Sequence, residues 1–201
     1  MADLYLVLLH YPVLDKNGLV VTTAVTNMDI HDIARSARTY GVRRFYVATP
    51  VKALRVLAAR IIEHWETGFG STYNSTRKDA LSLVSLEHDL DSTLVTLERE
   101  TGVRPRTVVT SARGGTQRTG FAALRAQLQS RTEPHLIVLG TGWGLVPEII
   151  ERADVILEPV CGPTAYNHLS VRSAAAVILD RLRGARYEGQ SAQHCSYEVA
   201  S

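Results

Sequence analysis

Residues 4–10, LYLVLLH, form an unbroken apolar run with no polar face, and this run constrains the fold more than any other stretch of the chain. A strand with one face in water alternates apolar and polar side chains, so a continuous run implies a strand covered on both faces. Shorter strand-like runs recur at residues 45–48, 135–139 and 155–157, with a β-branched one at 106–110 and a weaker one at 81–86. Between them lie stretches with helical spacing. Residues 29–40 set Ile30, Ile33, Ala34 and Ala37 on one side and stop at Gly41; residues 51–65 do the same with Leu54, Leu57, Ala58, Ile61 and Ile62. Further helices are expected at residues 91–100, 121–128, 147–152 and 169–183. Alternating buried strands and helices predict an α/β fold, a mostly parallel sheet with helices on both faces. In such sheets ligands bind beyond the carboxyl ends of the strands. That directs attention to the loops after Leu139 and Leu157 and to the loop before Asp29.

A chain of 201 residues suits a single domain, expected over residues 1–185, with a C-terminal tail at 186–201. No apolar run approaches the roughly 20 residues that span a bilayer. The opening MADLYLVLLHYPVLD has no basic residue ahead of its apolar run, so it reads as a first strand and not as a signal peptide. A cytoplasmic protein without membrane contact is expected. Cys161 and Cys195 stand far apart and form no metal-binding spacing, which argues against a disulfide framework and against a metal site. Of 22 basic residues only Lys16, Lys52 and Lys78 are lysine. Arginine forks phosphate and stacks on bases, so the bias fits a nucleic-acid surface; an arginine-rich genome would give it too.

Two segments carry candidate chemistry. Gly140-Thr141-Gly142-Trp143-Gly144 follows a buried strand directly, and glycines there allow close approach of a ligand to the backbone. A dinucleotide-binding turn would follow the first strand, with a longer third spacing and an acidic residue closing a second strand, and this one meets none of those conditions. No GxxxxGK[ST] occurs, which excludes a P-loop enzyme. The second segment runs LEPVCGPTAYNHLSVRSAAA from Leu157 to Ala176. Pro159, Gly162 and Pro163 fix a bent loop, Asn167 or His168 is placed to cap the helix that follows, and Ser170, Ser173 and Ala174 to Ala176 give that helix a small-residue face.

Residues 156–182 resemble the third motif of the SPOUT, or trefoil-knot, methyltransferases: a bent Pro/Gly loop, an Asn/Ser-rich elbow and an Ala-rich helix. Residues 140–145 resemble the second motif of that superfamily, and residues 29–41, DIHDIARSARTYG, resemble its first. Together with Tyr73-Asn74-Ser75-Thr76-Arg77-Lys78, these look close to a bacterial group of S-adenosylmethionine-dependent RNA methyltransferases. The likeness runs from the first strand to about Arg183.

The resemblance implies a deep C-terminal trefoil knot, an exception to the usual unthreaded connections. It implies a homodimer with the first and last helices at the interface, and an RNA substrate, either tRNA or rRNA. The cofactor would be S-adenosyl-L-methionine, bent in the knot against Thr110, Ser111, Leu139, Gly140, Thr141, Gly142, Trp143, Gly144, Leu157, Glu158, Pro159, Val160, Gly162, Tyr166, Asn167, Leu169 and Ser170. Relatives that methylate a ribose hydroxyl carry an Asn and, six residues on, an Arg in the first motif; here those positions hold Asp29 and Arg35. His168 stands where they place an Asn. These departures point to a base nitrogen as acceptor, with a ribose hydroxyl as the alternative, Asp29 or His168 as general base and Arg35 stabilising negative charge or gripping phosphate. Asp29 equally suits capping the helix at Ile30. Arg77, Lys78 and Arg113, in polar loops near strand ends, are candidate RNA phosphate contacts. Trp143, Tyr73 and Trp65 are candidates for stacking on bases, with Trp65 better suited to the core. A non-catalytic protein that binds S-adenosylmethionine and RNA on the same fold is the alternative.

Overall fold

The computed structural model describes residues 1–68, 74–114 and 117–185. Its centre is a six-stranded sheet made of β1 (Leu4–Leu9), β4 (Arg44–Ala48), β5 (Val84–Glu87), β6 (Arg106–Val109), β7 (His135–Gly140) and β8 (Val155–Ile156). The order across the sheet is β5-β4-β1-β7-β6-β8 and every pairing is parallel. Two short strands, β2 (Val13–Leu14) and β3 (Val20–Val21), form a separate antiparallel hairpin.

Seven helices are described: α1 (Asn27–Thr39), α2 (Lys52–Glu66), α3 (Ser75–Leu81), α4 (Leu90–Thr101), α5 (Phe121–Ser130), α6 (Pro147–Glu151) and α7 (Val171–Arg183). They divide between the two faces as the uninterrupted strands require. Leu4, Leu6 and Leu8 of β1 join Ile33, Ala58, Leu81, Leu124 and Leu179, from α1, α2, α3, α5 and α7. Tyr5, Val7 and Leu9 turn to the other face and meet Leu97 of α4 and Ile149 of α6. The predicted α/β architecture, parallel sheet and two helical layers are borne out. Among the described residues no helix is long and apolar enough to cross a membrane.

The differences lie at element ends and in two small elements. β1 stops at Leu9, although His10 still donates its amide to the Ala48 carbonyl at 3.0 Å. α1 starts at Asn27, because Thr26 caps it by accepting the Asp29 amide at 3.1 Å; Asp29 therefore sits within the first turn. At the other end Gly41 takes φ +68°, and the Val42 amide reaches back to the Ala37 carbonyl at 2.9 Å. α7 starts at Val171, two residues later than expected, because Ser170 caps it through the Ser173 amide; Asn167 and His168 lie ahead of the cap. Residues 74–79 read as a polar loop and residue 81 as the start of a strand, yet residues 75–81 form α3, whose cap is Asn74. The β2–β3 hairpin was not expected either. Tyr73 and Cys195 lie outside the described residues.

Leu179 is wholly buried where α7 meets the sheet, among residues of α1 and α5. Leu179→Ala is expected to lower the stability to urea by about 2–5 kcal/mol, the cost of an unfilled core cavity, with an unchanged m-value. A loss below about 1 kcal/mol would mean that α7 is loosely docked.

Candidate active site

The loops after β6, β7 and β8 and the first turns of α1 and α7 enclose a cavity of about 600 Å³. Its walls are apolar where Leu139, Val160, Ala174 and Ile178 face it, and polar where Thr23, Asp29, Thr141, Glu158, Asn167 and Ser170 do. An apolar cavity of this size with a few convergent polar groups is the usual form of a small-molecule site.

Each wall is held by identifiable bonds. The turn after β7 is gripped by the β2–β3 hairpin: the Trp143 amide donates to the Leu14 carbonyl at 2.8 Å, and the Leu14 amide donates to the Gly144 carbonyl at 2.9 Å. Gly142 adopts φ +60°, and a Cβ there would lie 2.8 Å from the Leu14 carbonyl oxygen, so only glycine fits. The Trp143 side chain is left exposed on the rim. The loop after β6 is tied to the elbow before α7, since Asn167 Nδ2 donates to the Ala112 carbonyl at 3.0 Å. Glu158 fastens the same region by accepting the Phe121 amide at 2.7 Å. Arg118 Nη2 donates to the carbonyls of Arg113 and Gly114 at 3.1 and 3.3 Å, bracing the loop from behind.

Most of the residues expected to contact the cofactor converge here. Thr110, Ser111, Leu139, Gly140, Thr141, Gly142, Trp143, Gly144, Glu158, Val160, Asn167, Leu169 and Ser170 line the cavity, whereas Leu157, Pro159, Gly162 and Tyr166 do not. Asp29, His168 and Arg113 line it too. Arg35 is exposed on α1, outside the lining. Lys78 is exposed on α3, and Arg77 lays its guanidinium over the Trp65 ring at 4.8 Å, so both lie away from the cavity. Trp65 packs against the core and meets the rings of His31 and His64 edge to face.

Several residues of the site carried no signal in the sequence. Thr23 and Ala24 enter it from the loop after β3, and Val171 and Ile178 from α7, beside Ala174 of the small-residue face that the sequence did show. Arg172 matters more. Its Nη1 donates to Asp29 Oδ1 at 2.9 Å and its Nε lies 3.5 Å from Asp32 Oδ2, so α7 is clipped to α1 beside the cavity. Asp29 Oδ2 accepts the Thr26 hydroxyl at 2.6 Å, which leaves each oxygen of this buried carboxylate with a partner. His168 is exposed and meets Tyr166 edge to face at 5.4 Å. Among the described residues no group of three His, Cys, Asp or Glu side chains could hold a metal.

His10 lies wholly buried behind this wall. Burial pushes its imidazole down from 6.5 to about 4, against the opposing pull of the Asp29 carboxylate and the Ala24 carbonyl. Burial also lowers His135.

A model of S-adenosylmethionine-dependent RNA methyltransferases matches residues 3–184. An uncharacterised protein of Aquifex aeolicus is 42% identical over 180 residues, which cover 90% of this chain and 88% of that protein. A tRNA (guanine-N(1)-)-methyltransferase of Nitratidesulfovibrio vulgaris is 45% identical over 92% of this chain, and the match spans only 43% of that longer protein. In fold, the chain is similar to the TrmH/SpoU tRNA modifying enzyme of A. aeolicus, with a TM-score of 0.53 at 18% identity, over 91% of this chain and 75% of that one.

The buried imidazole makes stability depend on pH. Unfolded, His10 takes up a proton as the pH falls through 6.5; folded, it does so only near 4. The stabilisation is therefore complete above pH 6.5 and is lost between 6.5 and 4, by about 3 kcal/mol for this one group. Urea midpoints measured across that window should fall for the wild type and fall less for His10→Gln. Parallel curves for the two proteins would show that His10 is not the group responsible.

Proposed function

The chain belongs to the family of S-adenosylmethionine-dependent RNA methyltransferases, and on that premise we propose that it transfers the methyl group to a base nitrogen of tRNA, with rRNA as the other substrate class. The observation that carries this reading is the convergence of three loops and the first turn of α7 on one cavity at the carboxyl edge of the sheet. The residues present suit the cofactor. Leu139, Val160 and Ile178 offer apolar walls to an adenosyl group, and Asp29, Thr141, Asn167 and Ser170 offer polar partners to an amino acid and a ribose. We assign Leu157, Pro159, Gly162 and Tyr166 to shaping the loops around it. When bound, S-adenosylmethionine supplies a methyl group on an already activated sulfonium, so the transfer needs no metal.

The chain's own residues then align the acceptor and take its proton. We assign that proton to His168, which lines the cavity and is exposed, with no hydrogen bond among the described residues. Asp29, with both oxygens engaged, is proposed to hold Arg172 and the first turn of α1 in place. Arg113 on the rim, Arg77 and Lys78 on α3 and Arg35 on α1 are assigned to the RNA backbone. The guanine N1 position named for the N. vulgaris relative is a candidate acceptor, but that protein is more than twice as long as the matched segment.

We take residues 1–185 as one domain, because both cores are built on one sheet, and we place the protein in the cytoplasm with its RNA. The knot remains part of the proposal. It is supported by the path after β8, where Glu158 donates its amide to the Thr119 carbonyl at 3.0 Å and Asn167 reaches Ala112 before α7 docks beside α1 and α5. A homodimer is proposed as well. Met28 at the start of α1 and Leu169 ahead of α7 leave apolar side chains in water, a surface that a second copy would cover.

The test is transfer of labelled methyl from S-adenosylmethionine into unmodified tRNA and rRNA pools. Incorporation into base nitrogen is expected, with His168→Ala lowering kcat by about 10²–10⁴-fold and changing cofactor affinity little. Cofactor binding without incorporation into either pool would favour the non-catalytic alternative. Alanine variants of Arg113 and Lys78 should each flatten the salt dependence of RNA affinity by about 0.7–0.9 log units per log unit of salt. Unchanged slopes would remove those residues from the interface.

A further inference from the structure

His10 and Thr23, on either side of the β2–β3 hairpin, meet the distant Thr141 at the inner wall of the cavity. His10 Nδ1 lies 3.0 Å from Thr23 Oγ1, and Thr23 Oγ1 is hydrogen-bonded to Thr141 Oγ1. Thr141 Oγ1 lies 3.0 Å from the Leu9 carbonyl. Both threonines line the cavity, and His10 is completely buried behind them. A fully buried imidazole is a poor choice for stability alone, since an apolar side chain would carry no polar atom to satisfy.

The protons of this chain can be counted. The imidazole is neutral at physiological pH and carries one N–H. If Thr141 donates to the Leu9 carbonyl, then Thr23 donates to Thr141 and His10 Nδ1–H donates to Thr23. If instead Nδ1 is the acceptor, Thr23 donates to it and Thr141 donates to Thr23. Neither arrangement leaves a hydroxyl proton for the cavity, and both leave a lone pair on each threonine oxygen. The Asp29 carboxylate, which lines the same cavity, adds acceptors of its own.

We propose that Thr23 and Thr141, locked by His10, form an acceptor-only subsite that receives an N–H donor, either an ammonium or the amino or imino nitrogen of a base. A carboxylate or phosphate oxygen finds no proton there. The two sources of such a donor are the ammonium of the cofactor's amino acid and the N–H edge of the methyl-accepting base. The inference rests on the reading of this cavity as the methyltransferase site. His10 touches no ligand and acts as a positioning residue through the threonines.

The experiment is calorimetry of Thr23→Val, Thr141→Val and Thr141→Ser with two ligands, alongside methyl transfer to RNA. S-adenosylhomocysteine carries the ammonium, and 5′-methylthioadenosine lacks the amino acid portion. The valine variants are expected to bind S-adenosylhomocysteine about tenfold to a hundredfold more weakly, the weight of a hydrogen bond to a charged group, with 5′-methylthioadenosine nearly unaffected and Thr141→Ser close to wild type. That result assigns the donor to the cofactor. Normal binding of both nucleosides with a raised KM for RNA assigns it to the acceptor base. Variants that bind both nucleosides and methylate RNA like wild type overturn the subsite. So does an equal loss of both nucleosides that Thr141→Ser does not relieve, because it marks a distorted turn. Failure of the wild type itself to bind S-adenosylhomocysteine would instead overturn the functional reading that encloses the subsite.

Discussion

The position of β7, paired in parallel with β1 on one side and β6 on the other, determines where every site residue goes. Val138 pairs with Val7 and with Val109, so three strands from distant parts of the chain end at the same edge of the sheet. Parallel strands need long returns, and these returns must share the space beyond that edge. The loop after β6 and the elbow before α7 are therefore pressed together, bonded through Asn167 and Ala112, while Glu158 after β8 holds Phe121 and the β2–β3 hairpin grips the turn after β7. The cavity is what remains between them.

Charge within that crowded edge is handled by pairing and by neutrality. The Asp29 carboxylate would be costly to bury alone, and Arg172 meets it from α7 while Thr26 meets it from its own helix. His10 takes the other course and stays uncharged. What faces the cavity is thus a largely apolar space with acceptors at one end and the exposed His168 in the elbow. That arrangement suits a ligand that brings its own positive charge, as a sulfonium with an ammonium does.

The fold was legible because strands buried on both faces leave continuous apolar runs and the helices between them show their stripe. The weaker features fell below that signal. β2 and β3 are two residues each, and Val20 stays exposed, so no alternation marks them. α3 is about two turns long, polar over its first five residues, and its cap, Asn74, looks like loop chemistry in a sequence. Two of the loops that line the cavity were visible through their clustered glycine and proline. Arg172 and the His10–Thr23–Thr141 chain were not visible, because each depends on partners more than a hundred residues away that only the sheet order brings together. Asp29 illustrates the limit of local reading: its position suggested a cap or a base, and the clip to α7 gives it a different set of partners.

The central claim is that S-adenosylmethionine occupies the cavity at the carboxyl edge of the sheet. An amide-resolved NMR titration with the unmodified protein tests it most directly. Shifts concentrated at residues 110–113, 140–144 and 158–171 are the predicted result. No shifts, or shifts gathered at the opposite edge around Tyr5, Glu100 and Thr132, where a second and smaller cavity lies, would contradict it.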